Sequence, residues 1–268
     1  MIGTVVATMA QRGIAAEAAG LRVPAGDWWL VVREGTEVVG AGMRSAPFAP
    51  RPLFLLPMPE AAALALARTL VDRGERVDAL NGALPATQVC AEELARLTAR
   101  TARVAMSSRL HRAGRVVHPP QPDGLLRAAT TAELDVARAW FEAFLEDADA
   151  QAGRPVQAHA GEVPSRDEMR RRIHDGQLWV WERDGEVVHL SALNPPGFGV
   201  ARIGPVYTPQ EHRGHGYAGA TVAALTARVL EAGHVPCLFT DQANPVSNAL
   251  YARIGYEPVV DMANFVLE

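Results

Sequence analysis

The chain is broken near its middle by its own composition. His118-Pro119-Pro120-Gln121-Pro122-Asp123-Gly124 places three prolines and a glycine in seven residues. Proline lacks the backbone N–H and fixes φ, so this run continues neither a helix nor a central strand. The 268 residues must therefore be assembled from segments on either side of it. Charge changes sign there as well. Residues 1–124 hold 14 arginines against 11 acidic residues, a balance of +3, and residues 125–268 hold 12 against 19, a balance of −7. We expect a domain over 1–118, a linker over 119–124 and a second domain over 125–268. With 49% hydrophobic and 21% charged residues, both parts have the composition of folded globular domains.

Residue usage excludes several functions. All 26 basic residues are Arg, so no lysine Schiff base can form. The net charge of −4 and the absence of a concentrated basic segment argue against nucleic acid and anionic membrane surfaces as partners. The cysteines, Cys90 and Cys237, read as buried free thiols of a reducing compartment rather than a disulfide framework. The segment Met1–Gly13 is a poor signal peptide. No run reaches the roughly 18 apolar residues of a membrane span. The expectation is a cytoplasmic protein, monomeric or homodimeric.

In the N-terminal half, an Ala-rich segment (Ala15–Ala19) precedes a β-hairpin. Trp28–Val32 and Val38–Met43 are its strands, and Glu34-Gly35 is its turn. Pro47, Pro50 and Pro52 interrupt. Leu53–Leu56 is a short strand, and Pro59 opens a helix to about Asp72. Val77–Leu80 reads as a strand, Ala86–Ala102 as a helix and Thr101–Met106 as a strand. Gly40 and Gly42 lie within the hairpin and point to close packing. The second half carries a short strand at Leu125–Ala128 and two capping-box patterns, Thr130-x-x-Glu133 and Ser165-x-x-Glu168. Their helices run over 132–148 and to His174. Leu178–Arg183 and Glu186–Ala192 form a hairpin. Then come a strand at Ala201–Tyr207, a small-residue-rich helix at Gly214–Ala232, a strand at Val235–Thr240, a loop and helix at Asn244–Ile254 and a final strand. The class is α/β with a mixed sheet.

The chemistry is concentrated in Arg213-Gly214-His215-Gly216-Tyr217-Ala218-Gly219, between a strand and a helix. Closely spaced glycines let a ligand approach backbone N–H groups, and a helix N-terminus favours phosphate. The segment satisfies GxGxxG, with Asp241 at 22 residues' distance, which superficially is a dinucleotide fingerprint. Residues 208–213 separate the glycines from their strand, however, and only 49 residues follow Gly219, too few for further βαβ units. A Walker loop needs Lys, which the chain lacks. The pairs His212/His215 and His234/Cys237 have no convincing further ligands for zinc, and His189 reads as structural.

Arg213-x-x-Gly216-x-Ala218 resembles the (Arg/Gln)-x-x-Gly-x-(Gly/Ala) signature of the GNAT acyltransferases, the Gcn5-related superfamily. Asn244-x-x-Ser247-x-x-x-Tyr251-x-x-x-Gly255-Tyr256 resembles its downstream block. The resemblance implies a GNAT fold in the C-terminal half and acetyl-CoA as cosubstrate. It implies that the backbone over Arg213, Gly214, His215, Gly216, Tyr217 and Ala218 binds diphosphate. It also implies a bulged strand at Ile203-Gly204-Pro205-Val206-Tyr207 that splays from its neighbour to admit the pantetheine arm. Glycine and proline suit such an irregular strand on physical grounds too.

Within that resemblance, the Val206 N–H polarises the thioester, Tyr207 lies beside it, and Tyr251 is the general acid. Asn244 and Asn248 are candidate pantetheine contacts, with loop and N-cap duty the alternative. No metal is expected. The acceptor, a small-molecule or peptide amine, would bind over residues 134–175. Glu142 and Glu146 share a helix face there, but solvated surface charge is the simpler reading. The N-terminal half resembles a degenerate copy without either motif. An acetyl-CoA-dependent N-acetyltransferase is the leading expectation. A catalytically silent acyl-CoA-binding or sensor module is the alternative.

Overall fold

The computed structural model describes residues 2–18, 20, 27–45, 51–151 and 163–268. Pro47, Pro50 and the 152–162 part of the expected acceptor region lie outside the described residues. In chain order the first elements are α1 (Thr4–Ala18), β1 (Trp28–Glu34), β2 (Glu37–Arg44), β3 (Leu53–Leu55), α2 (Glu60–Asp72), β4 (Ala79–Ala83), α3 (Ala86–Leu97) and β5 (Ala102–Ala113). There follow β6 (Leu125–Ala128), α4 (Leu134–Gln151), α5 (Arg166–His174), β7 (Leu178–Arg183), β8 (Glu186–Leu193), β9 (Val200–Tyr207), α6 (Tyr217–Glu231), β10 (Val235–Asp241), α7 (Pro245–Ile254) and β11 (Tyr256–Leu267).

These elements form two compact units, Met1–Leu110 with Val259–Glu268, and His111–Pro258. The division differs from the boundary expected at 119–124, which falls inside the second unit. The cause lies in two long strands. β5 runs to Ala113 rather than ending near Met106, and Ala113 is buried in the second unit's core. β11 runs from the second unit into the first. There Met262–Val266 pairs antiparallel with β4, in register Met262↔Ala83 to Val266↔Ala79.

The first unit's strands stand in the order β1-β2-β3-β4-β11-β5. β1 and β2 form the expected hairpin, and β3 and β4 are parallel, joined through α2. Alternate residues of β11, Ala263, Phe265 and Leu267, are buried with Leu53, Leu55 and Leu80 of the sheet and Leu66, Leu70 and Leu94 of α2 and α3. Gly40 packs closely, as expected: a Cβ there would lie 2.8 Å from Met58 Cβ.

The second unit's strands run β10-β9-β8-β7-β6. Period-two alternation divides them between two helical layers. Leu178, Val180, Leu190 and Ala192 pack with Phe141, Met169 and Ile173 of α4 and α5. On the other face, Ile203 and Leu238 pack with Val222, Leu225, Tyr251 and Ile254 of α6 and α7.

The first capping box is complete, though it opens a 3-10 turn that leads into α4. Only half of the second forms. Ser165 Oγ accepts from the Glu168 N–H at 3.2 Å, while the Glu168 carboxylate turns to Arg171 and Arg172. α6 starts at Tyr217, three residues later than expected, because Gly214 and Gly216 both hold left-handed φ, 83° and 86°. The glycines are loop, not first turn.

Candidate active site

The site begins with an irregularity in β9. Two steps along β8, Ser191 to Leu193, oppose three along β9, Val206 to Ile203, so β9 carries one extra residue there, a β-bulge. Gly204 sits at φ 137°, a conformation that side-chain-bearing residues rarely adopt. Asn194 clamps the bulge: its Nδ2 donates to the carbonyls of Arg202 and Gly204, at 3.1 Å each. On the other edge, β9 pairs parallel with β10 only over Val200–Arg202 and Val235–Cys237. Beyond those residues the two strands run on without pairing to each other, β9 to Tyr207 and β10 to Asp241. Bulge and splay therefore coincide where Gly204 and Pro205 predicted irregularity. Successive strand residues present their N–H groups to opposite edges, so one of Val206 and Tyr207 faces the open gap.

The glycine loop lies between β9 and α6. Ala220 N–H bonds back to the Gly216 carbonyl at 3.0 Å, and the helix N–H groups before it have no intrahelical acceptor. A Cβ at Gly214 or Gly216 would meet no atom within 4 Å, so the space on the Cβ side of both glycines is open. The Tyr217 side chain is buried and accepts from Arg183 Nη1 at 3.4 Å. The His215 ring lies 5.7 Å from that of Tyr217.

Tyr251 of α7 is buried in the core cluster that also holds Ile203 and Leu238 and that Val206 packs against, with its ring edge-on to Tyr256 at 6.0 Å. Burial pushes its phenol above the ordinary value, so the hydroxyl stays protonated. The two asparagines hold the chain between β10 and α7. Asn244 Oδ1 caps α7 by accepting from the Ser247 N–H at 3.1 Å. Asn248 Oδ1 accepts from Thr240 Oγ1 at 2.6 Å, and its Nδ2 donates to the carbonyls of Asp241 and Asn244 at 3.0 and 2.7 Å. Thr240 Oγ1 is then left to accept from His111 Nε2 at 3.1 Å. The Asn248 amide and the Asn244 carbonyl oxygen thus make internal bonds.

On the α4 side, Arg213 is exposed but its guanidinium is engaged. Its Nε donates to the Thr208 carbonyl at 3.0 Å, and its Nη2 pairs with the Asp147 carboxylate. The Tyr207 ring lies 5.9 Å from Trp140. Burial, with Asp147 nearby, raises the Tyr207 phenol's pKa. Glu142 and Glu146 are exposed, whereas Asp147 of α4 pairs with Arg213 beside the loop.

His189 is fully buried. Its Nδ1 meets Thr208 Oγ1 at 2.7 Å and its Nε2 meets Ser191 Oγ at 2.8 Å. Burial lowers its pKa to about 3, so the ring is neutral. Burial also raises the thiol pKa of Cys90 to about 12 and of Cys237 to about 11, which leaves neither as a nucleophile. Among the described residues, no group of three metal-ligating side chains occurs and no helix is long and apolar enough to cross a membrane.

Asn194, Asp147 and Thr208 were not legible as site residues, since Asn, Asp and Thr are ordinary in loops and on exposed helices. The proline-rich loop at Asn194 and the irregular strand that follows were the available signal.

The bulged, splayed strand and the glycine loop it leads to define a GNAT acyltransferase fold, and solved structures agree. A GCN5-related N-acetyltransferase from Kribbella flavida superposes with a TM-score of 0.57 at 17% identity, over 99% of this chain and 95% of that one. One from Sphaerobacter thermophilus gives 0.60 at 15% identity, over 95% and 84%. A GNAT-family acetyltransferase from Colwellia psychrerythraea gives 0.54 at 15%, over 90% and 85%. This chain has their fold. More particularly, residues 194–265 match the family described as FR47-like protein, a span from the Asn194 clamp into β11. No curated protein matches the sequence.

Proposed function

We propose that the second unit binds acetyl-CoA and transfers its acetyl group directly to a primary amine. The observation that carries this reading is the coincidence of an open β9/β10 gap with a left-handed glycine loop at its end. The loop fits a diphosphate, because it supplies backbone N–H groups at a helix N-terminus and the Cβ side of Gly214 and Gly216 is unobstructed. The backbone from Arg213 to Ala218 holds that group, and the gap takes the pantetheine arm. Asn244 and Asn248 shape the β10 side of the gap through their internal bonds.

Bound acetyl-CoA supplies an acetyl thioester, whose transfer to a neutral amine yields an amide and the CoA thiol. The strand N–H at Val206 or Tyr207 polarises the carbonyl. Tyr251, kept protonated by burial, donates to the departing sulfur and regains a proton from the amine through water. The test is titration with acetyl-CoA by calorimetry, followed by thiol release over a panel of primary amines. Absence of binding refutes the cosubstrate. Binding without thiol release over the panel favours the silent binding module.

We further propose that the chain is a tandem in which the N-terminal half is degenerate. Its sequence of hairpin (β1–β2), antiparallel β3, helix α2 and parallel β4 repeats the β7–β8, β9, α6, β10 order of the second unit.

A further inference from the structure

Arg213 stands directly before the glycine loop, yet its guanidinium reaches away from it to the carboxylate of Asp147 on α4. The Thr208 carbonyl steadies the same side chain at 3.0 Å. Trp140 and Asp147 lie seven residues apart on α4 and so share a helix face. That face meets β9, where the Trp140 and Tyr207 rings are 5.9 Å apart. One guanidinium thus links the loop assigned to the diphosphate with a carboxylate near Tyr207, whose ring meets that of Trp140.

Both side chains of the pair are partly exposed, 40% for Arg213 and 37% for Asp147, so the pair can open without unfolding its surroundings. A diphosphate carries more charge than a carboxylate, and guanidinium groups bind phosphate oxygens bidentately. Asp147 lies near the Tyr207 hydroxyl, on the helix face that also carries Trp140, and a carboxylate with aromatic rings in its neighbourhood is a suitable seat for an organic cation.

We propose that the Arg213–Asp147 pair is a latch between the two substrate sites. The CoA diphosphate and Asp147 compete for one guanidinium, and CoA binding frees Asp147 to hold a cationic amine acceptor beside Trp140 and Tyr207. This rests on the acetyl-CoA reading above. Coupling of this kind is reciprocal: a cation seated on Asp147 strengthens CoA binding by the factor by which CoA strengthens the cation's.

The test is CoA affinity by calorimetry at low ionic strength in the wild type, Asp147→Asn and Asp147→Glu. Exposed pairs of this type change an equilibrium constant by up to about fivefold. Asp147→Asn should therefore tighten CoA binding by about twofold to fivefold, and Asp147→Glu should restore the wild-type value. Ethylammonium chloride should strengthen CoA binding to the wild type more than sodium chloride at equal ionic strength, and the difference should vanish in Asp147→Asn. If Asp147→Asn binds CoA as well as or more weakly than the wild type, the latch is overturned while the acetyl-CoA reading stands. If the wild type binds no CoA, the acetyl-CoA reading falls and takes the latch with it.

Discussion

Acidification should weaken this protein through His189. The ordinary histidine pKa is 6.5, and burial lowers that of His189 to about 3. In the unfolded chain the ring takes a proton as pH falls below 6.5; in the folded chain it stays neutral until about 3. The stability it contributes is complete above 6.5 and is lost as pH falls through that window. Between pH 7 and pH 5 the loss is about 2 kcal/mol. For a unit of roughly 150 residues, such as His111–Pro258, that lowers the melting temperature by about 4–8 °C. Carboxylates do not mimic the effect. Glu133, bonded to Arg127, has its pKa lowered from 4.5 to about 2, so its contribution is lost only below pH 4.5. The comparison is His189→Gln, whose amide can still bridge Ser191 and Thr208 but does not titrate in this range. Thermal unfolding followed by tryptophan fluorescence at pH 7 and pH 5 should show the wild type losing about 4–8 °C more than the variant. Equal losses would refute the assignment, whatever the variant's absolute stability.

Gly216→Val should abolish detectable CoA binding, since φ is 86° there and a branched side chain would enter the open space before the loop. Gly216→Asn, which tolerates left-handed φ, should bind measurably, and calorimetry that found both equal to wild type would remove the loop from the site. Tyr251→Phe should lower turnover at least tenfold more than it lowers CoA affinity, as thiol-release kinetics and calorimetry would show; parallel losses would make Tyr251 a packing residue. Residues 125–268 alone should aggregate or lack near-ultraviolet circular dichroism, because Ala263, Phe265 and Leu267 lose the core that buries them. A monomeric fragment with a cooperative melt would contradict the strand assignments.

The sequence made the elements legible wherever local signals and tertiary demand agree. The hairpins at 28–44 and 178–193 combine β-prone alternation with Gly-containing turns, and both form. The bulge was legible because Gly204 and Pro205 are poor strand residues whatever surrounds them. The reach of β5 was not. Ser107–Ala113 carries polar residues, Arg109 and Arg112 among them, and nothing local says that Leu110, His111 and Ala113 are buried. The fate of β11 was hidden for the same reason, since a strand's pattern records which face is buried but not against what. At the candidate site, the signature pointed to the loop and the downstream block to Tyr251, whereas Asp147 was indistinguishable from Glu142 and Glu146 until its pairing with Arg213 was known.

The two units share an element order of hairpin, antiparallel strand, helix and parallel strand but differ where that parallel pair ends. In the second unit, three paired residues of β9 and β10 are followed by separate runs to Tyr207 and Asp241. In the first, β3 pairs with β4 over Leu53–Leu55 and ends there, and the Leu56 N–H returns to the Ala41 carbonyl of β2 at 2.9 Å. No strand end is left to diverge. The two helix entries differ in the same sense. α6 follows two left-handed glycines whose surroundings are open. α2 follows Pro57-Met58-Pro59, which supplies fewer N–H donors, and Met58 is buried against Gly40 and the core. Buried apolar atoms thus fill in the first unit the place that corresponds to the β9/β10 separation of the second. Filling that place favours stability, since an empty apolar gap forfeits contacts. In the second unit Asn194 bonds to the carbonyls of Arg202 and Gly204 at the bulge, and His189 bonds to Thr208 just past the end of β9.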